Sequence, residues 1–426
     1  MDYNSNLLET LIDGVKPALG CTEPVAVGIA TAKAFESLDG QVESIRVEVS
    51  PNIYKNGMGV GIPGTSKIGL EFAAALGVTC GDASLGLEVF KGVDKNSKEK
   101  ADKLLESGKV QLVLEDGKGN FFIEAVVETE NGKGICRIKE SHTNIVYVEK
   151  NGKVLLEEEV EKDTKKNGNG YLKEIKLQDI KNFVEEVSFS DIKFLLEGVK
   201  VNMDIAKVGL EEKPGPGLGF AMDLLMEEGV MQKDVINRAR VLTSAACDAR
   251  MSGKNMPVMS SAGSGNQGIT AIIPPAVMCE HLDCDDEKLA RSLAFSHLTT
   301  AYIKAFTGNL SPVCACAVAA GIGASASIVW MLDGSINQIG GAIRNMVATL
   351  TGMVCDGAKG GCAFKLSTAS SEAIIQAKLA MADVVVGGND GIVSPDADKT
   401  IKNLGRFCSE GMKDLDKEII DIMIEN

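Results

Sequence analysis

The chain counts 426 residues, of which 45% are hydrophobic and 24% charged, proportions that exclude a disordered or fibrous molecule. Lys and Arg total 44 against 59 Asp and Glu, and a net charge of −15 without a dense basic cluster disfavours nucleic acid and anionic membrane surfaces as partners. Eleven cysteines, an odd number, and an N-terminus with acidic rather than basic residues fit a reducing cytoplasm better than an exported disulfide scaffold.

Taken in chain order, residues 6–38 read as helices interrupted at residues 20–24 (GCTEP), with small and apolar residues at helical spacing over 25–35. Alternating apolar and polar residues predict a strand at 43–49 and further strands at 110–114, 121–127, 136–138 and 144–148, the later ones forming an antiparallel meander. The polar, Gly-rich run at 163–170 (DTKKNGNG) reads as a loop, followed by a charged helix that ends at Val187. A domain boundary is expected at residues 188–191. Beyond it, residues 203–225, 234–249, 286–306, 317–332, 336–351 and 370–386 all favour helix. The most apolar stretches, 270–278 and 317–332, contain Gly, Pro or Ser and stay below the roughly 18 uninterrupted residues of a membrane span, so they read as buried helices. The fold class is therefore α+β: residues 1–190 as an α+β domain with an antiparallel sheet, and residues 191–426 as a mainly helical catalytic domain.

The scarce residues narrow the chemistry. Only three histidines occur, His142, His281 and His297, without paired zinc-type spacing and without a G-x-S-x-G elbow. His297 reads as a packing residue. By contrast, Cys314, Cys316, Cys355 and Cys362 crowd into residues 314–362. Cys355 and Cys362 bracket CDGAKGGC, whose glycines let the backbone curl and present N–H groups to an anionic object between two sulfurs. That loop is longer than the usual zinc C-x₂₋₄-C and is closer to iron–sulfur ligation, with Cys314 or Cys316 as a third thiol. Spacing alone leaves metal binding and simple burial of small apolar thiols equally open. Asn56, Thr65, Ser261, Asn266 and Gln267 lie in Gly-rich turns that can offer donors to a carboxylate.

Five segments in order, 20–24 (GCTEP), 56–65 (NGMGVGIPGT), 260–268 (SSAGSGNQG), 310–317 (LSPVCACA) and 355–362, make the chain resemble the L-cysteine desulfidases over nearly its whole length. That family is similar in turn to the iron–sulfur L-serine dehydratases, whose beta and alpha domains correspond to the two halves expected here. The resemblance implies an oxygen-sensitive four-iron, four-sulfur ([4Fe-4S]) cluster held by Cys314, Cys355 and Cys362, with Cys316 as the alternative to Cys314 and one iron left open. It also implies Cys21 as the catalytic base, a substrate pocket lined by residues 260–268, and elimination of L-cysteine to sulfide, ammonia and pyruvate. The start of a helix after Cys21 is expected to lower its thiol pKa. The dehydratases' Ser-Ser-His-Thr-Gly-Pro segment is replaced by GCTEP, and the C-terminus (IIDIMIEN) lacks the cysteine that some dehydratases tuck into the cluster. The implied partner is the small-molecule substrate, with no nucleic acid and no membrane, and a homodimer is the assembly allowed for. The competing readings are L-serine dehydration, a pyridoxal lyase using Lys254, Lys304 or Lys359, and a non-catalytic cysteine-binding metalloprotein.

Overall fold

The computed structural model describes residues 3–36, 38–115, 117–119, 121–158, 170–308 and 311–425. Of the loop expected at 163–170 all but Gly170 lies outside the described residues, as do Leu310 of LSPVCACA and Asn426 of the final run. The fold is α+β, with a sheet in the N-terminal part followed by a helical region.

The N-terminal part contains α1 (Asn4–Gly14), β1 (Pro17–Leu19), α2 (Thr22–Phe35), β2 (Val42–Val49), α3 (Pro51–Gly57), α4 (Leu70–Cys80), α5 (Lys95–Glu106), β3 (Val110–Leu114), β4 (Phe122–Thr129), β5 (Gly132–Lys139), β6 (Ile145–Lys150) and β7 (Lys153–Glu157). Six of these strands form one sheet in the order β3-β2-β4-β5-β6-β7. Alternation decides its faces: Ile45, Val47 and Val49 of β2 and Ile123, Ala125 and Val127 of β4 are buried in one core with α2 and α4. The opposite face carries charged pairs, Arg137 with Glu124 and Arg46 with Glu48. The strand at 110–114 does not belong to the antiparallel meander. β3 pairs with β2 in parallel, Ile45 opposite Val110, because α3, α4 and α5 supply the long crossover that a parallel pair requires.

The helical region comprises α6 (Leu177–Glu186), α7 (Phe189–Ile192), α8 (Leu195–Glu212), α9 (Leu218–Glu227), α10 (Val235–Met251), β8 (Pro257–Met259), α11 (Gly265–Leu282), α12 (Asp286–Thr307), α13 (Val318–Met331), α14 (Ile336–Leu350), α15 (Cys362–Met381), α16 (Ala397–Arg406) and α17 (Leu415–Glu425). Its apolar core also takes in Leu7, Leu11 and Cys21 from the start of the chain. The helix expected over 203–225 is two helices: Lys213 adopts a left-handed conformation and Pro214 and Pro216 follow, which removes two N–H donors and stops α8. α11 holds Pro274 and Pro275 in its interior. The Ala271 carbonyl, four residues before Pro275 and so deprived of its helical donor, accepts the Ser296 hydroxyl of α12 at 2.8 Å. Among the described residues no helix is long and apolar enough to cross a membrane.

Candidate functional site

Two short backbone pairings assemble the site. β1 and β8 run antiparallel, with Pro17 opposite Met259 and Leu19 opposite Pro257, and the Ser260 N–H donates to the Lys16 carbonyl at 2.9 Å. This pairing sets GCTEP against SSAGSGNQG. The second is a bridge between Val313 and Val354, flanked by Cys314 N–H to Met353 O and Cys355 N–H to Pro312 O, both 2.7 Å. It sets the CAC segment against the start of the CDGAKGGC loop. Cys314 and Cys316 sit in the turn that precedes α13.

Arg250, in the last turn of α10 and 6% exposed, connects these segments. Its Nη2 donates to the Gly20 carbonyl at 2.6 Å and its Nη1 to Asn266 Oδ1 at 2.9 Å. A Cβ on Gly265 would lie 2.5 Å from Arg250 Nε, so the glycine before Asn266 leaves the guanidinium its path. The Gln267 Oε1, Arg250 Nε and His297 Nε2 atoms are buried without hydrogen-bond partners, so the junction of the 260–264 loop with α11 retains polar capacity for a ligand.

Cys21 is the N-cap of α2 and is buried. Burial pushes its thiol up to about 12, although the Arg250 charge pulls it the other way. The lowering expected from the helix start is therefore overturned, because desolvation of a thiolate outweighs a helix N-terminus. Beside it, Thr22 Oγ1 and His142 Nε2 are 2.8 Å apart, and His142 Nε2 lies 3.9 Å from Glu23 Oε1. Burial raises the Glu23 carboxyl, but the hydrogen bond and charge of His142, aided by Arg250, more than reverse this and hold it below the usual carboxylate range.

α12 contributes His297 and Lys304. His297 Nδ1 and Ser261 Oγ are 2.8 Å apart, and burial takes the imidazole down to about 3, so it is neutral at physiological pH. Lys304 Nζ donates to the Ala262 carbonyl at 2.6 Å and is lowered by burial, an effect that Cys316 opposes.

Cys314, Cys316, Cys355 and Cys362 converge closely enough for each thiol to feel the charge of others in the group. A hydrogen bond with Cys316 and burial hold the Cys314 thiol well above its ordinary value. Cys316 moves the other way, to about 7: the Cys314 hydrogen bond is the largest cause, Ser264, Arg250 and Lys304 add to it, and burial opposes it. Ser264 Oγ is 3.7 Å from Cys316 Sγ. Cys355 is raised by burial against the pull of Lys55, and burial pushes Cys362 up to about 11. The loop between them rests on α3. Gly357, at φ +92°, would place a Cβ 2.0 Å from the Lys55 carbonyl, and Lys55, 3% exposed, pairs with Asp416 of α17 at 2.7 Å. Lys365 Nζ donates to the Val354 carbonyl at 2.9 Å and pairs with Asp356.

Soft, dry thiols flanked by cations and by the first turns of α2, α11, α13 and α15 suit an anionic iron–sulfur group. Among the described residues no three His, Cys, Asp or Glu side chains close tightly enough for a single metal ion.

The sequence-expected residues distribute as follows. Cys21, Ser261, Asn266, Gln267 and the four thiols are gathered here. Asn56 is half-buried in α3, next to Lys55, rather than in a turn. Thr65 lines a cavity of about 660 Å³ that also borders Gly59, Met251, Lys254 and Gly360. Its hydroxyl donates to Ile62 O at 2.9 Å and accepts from the Lys67 N–H at 3.1 Å, so it builds its own turn. Sequence reasoning missed Arg250 and Glu23, and read His297 as packing alone. The one signal available for Glu23 was its place beside Cys21 in GCTEP.

Residues 84–421 match the family model described as serine dehydratase alpha chain, a span that includes Arg250, Asn266, His297 and all four converging thiols, with Cys21, Asn56 and Thr65 before it. The chain is also similar to proteins named UPF0597. One from Clostridioides difficile is 45% identical over 420 residues, covering 98% of each chain. One from Clostridium tetani is 45% identical over 426 residues, covering 100% of this chain and 99% of the relative, and one from Alkaliphilus metalliredigens is 43% identical over 423 residues, covering 98% and 94%. By the extent of the family match, which covers more than half of the chain and includes Arg250, Asn266, His297 and the four converging thiols, the chain belongs to the serine dehydratase alpha chain family.

Proposed function

We propose that the chain is a lyase that eliminates the β-substituent of a small L-amino acid, converting L-cysteine to sulfide, ammonia and pyruvate. The observation that carries this reading is the convergence of Cys314, Cys316, Cys355 and Cys362 beside Cys21 and Arg250. Cys355, Cys362 and one thiol of the Cys314/Cys316 pair would hold a [4Fe-4S] cluster. When bound, a cluster with one iron free of protein ligands supplies a Lewis acid for the departing group. A ligating thiol must be a thiolate, and the hydrogen bond from Cys314, with Ser264, Arg250 and Lys304 adding to it, favours that form at Cys316 over Cys314.

The chain's own residues would do the rest. Arg250 and the N–H groups opening α11 bind the substrate carboxylate and stabilise the charge that gathers on it as Cα loses its proton. Asn266 fixes the guanidinium, and neutral His297 orients the Ser261 hydroxyl. Cys21 takes the Cα proton. Its thiolate is costly in the dry site and correspondingly basic, and a substrate ammonium group beside it supplies compensating charge. The eliminated aminoacrylate then hydrolyses to pyruvate and ammonia.

The second reading is L-serine dehydration to pyruvate and ammonia, favoured by the description of the matching family. The test is anaerobic purification with iron, followed by assay of L-cysteine and L-serine side by side. About four irons and four labile sulfides per chain are expected, with release of sulfide and pyruvate from L-cysteine. Single Cys314→Ser and Cys316→Ser variants, assayed for iron, identify the third ligand. Iron-loaded protein that makes pyruvate from L-serine alone transfers the assignment to the dehydratase reading, and protein that binds cysteine without releasing sulfide or pyruvate refutes both.

A further inference from the structure

Two cysteines far from this site stand in a relation that the helix geometry dictates. α11 ends in a left-handed residue, Asp283 at φ 56° and ψ 43°. The Cys284 N–H bonds to the Cys279 carbonyl at 3.0 Å, and the Asp283 N–H bonds to the Glu280 carbonyl at 3.3 Å. These are the two reversed bonds of a Schellman cap, which brings the side chain third from the helix end against the side chain just beyond the turn. Those two positions are Cys279 and Cys284. Cys279 Sγ lies 3.8 Å from the Cys284 carbonyl, and the Cys284 thiol is near enough to act on the Cys279 thiol electrostatically. Cys279 is 3% exposed, whereas Cys284 is partly exposed, and both line a cleft of about 600 Å³ together with Val199, Met203 and Leu289.

We infer that Cys279 and Cys284 form a thiol–disulfide switch, oxidised by low-molecular-weight disulfides that enter this cleft and reduced again by excess thiol. A cap of this kind turns the two side chains toward one another, which favours the short separation that a disulfide needs. The exchange balances in two steps. The more accessible Cys284, as thiolate, attacks the external disulfide, forming a mixed disulfide and releasing one small thiolate. Cys279 then loses its proton and attacks Cys284 Sγ, expelling the second small thiol, so that one external disulfide is reduced to two thiols as the two protein thiols become one disulfide. Asp285 acts on the pair, while Lys207, Arg238 and Glu280 line the cleft, so the charges there are mixed and the size of the oxidant rather than its charge decides entry.

The test uses the full chain, kept anaerobic and titrated with cystamine and cysteamine. Trypsin releases residues 255–288, a peptide that holds these two cysteines and no other. The expected result is this peptide two hydrogens lighter and free of cysteamine, reverting when thiol is added in excess. In Cys279→Ser the same peptide keeps one cysteamine on Cys284, because the second step is blocked. A wild-type peptide that stays reduced throughout the titration, or that retains cysteamine on Cys284, overturns the proposal. Neither thiol belongs to the lyase site, so the outcome is independent of that assignment.

Discussion

The proton-transfer role of Cys21 has a sharp kinetic consequence. Burial sets its thiol at about 12, so at pH 7 the thiolate exists in about one molecule in 10⁵, a cost of about 7 kcal/mol that the reaction must meet. If that thiolate takes the Cα proton, kcat/KM rises about tenfold per pH unit between pH 6 and 8, since this ratio reports the ionisations of the free enzyme. The window stays below the ordinary thiol pKa of about 8.5, so the ionisation of substrate cysteine does not bend the line. The measurement is initial-rate sulfide or pyruvate release by anaerobic, iron-loaded enzyme at low substrate. Cys21→Ser should lower kcat by about 10²–10⁴-fold and flatten the slope while leaving iron content unchanged. A flat wild-type profile over this range, together with loss of activity in Glu23→Gln, refutes the assignment to Cys21. It moves the proton to Glu23, whose carboxyl is already held below the usual range beside His142.

His297 makes stability depend on pH. Its folded value of about 3 lies below the unfolded value of about 6.5. Between these the unfolded chain binds a proton that the folded chain does not, so this contribution is complete above pH 6.5 and is lost as pH falls towards 3. The loss at pH 5 is about 2 kcal/mol. Urea unfolding at pH 7 and pH 5 should show that much less acid destabilisation in His297→Gln than in the wild type, and equal losses would remove the argument. Gly357→Ala forces a side chain onto a positive φ and into the Lys55 carbonyl, and should lower stability by about 2 kcal/mol or more and reduce iron retention. An unchanged unfolding midpoint with normal iron would mean that the loop does not bear on α3.

The sheet was legible because β2 and β4 alternate cleanly, with Ile45, Val47 and Val49 turned inward and charged residues turned out. The thiol group was legible from spacing, yet its closure depends on the Val313–Val354 bridge, which no local pattern announces. Arg250 could not be found that way. α10 carries three arginines, and the partners that select this one lie 16 and 230 residues away. The start of α11 reads as a Gly-rich turn because Gly265 and Gly268 argue locally against helix, although the prolines further on are no bar to reading 270–278 as helical and find a compensating hydroxyl in Ser296 of another helix. For Cys21 the local rule gave the wrong sign: a helix start lowers a thiol pKa, but packing against the helical core dries the site and raises it.

The pairing of Pro17–Leu19 with Pro257–Met259 also bears on how the molecule is made. At synthesis rates of roughly 5–20 residues per second, the first strand waits on the order of 10–50 s for its partner to leave the ribosome. Leu7 and Leu11, destined for a core built almost wholly from later residues, stay wet through that interval. A nascent chain cut before its second half emerges therefore has nowhere to hide its own beginning, and such truncated products should be prime targets for chaperones and proteases.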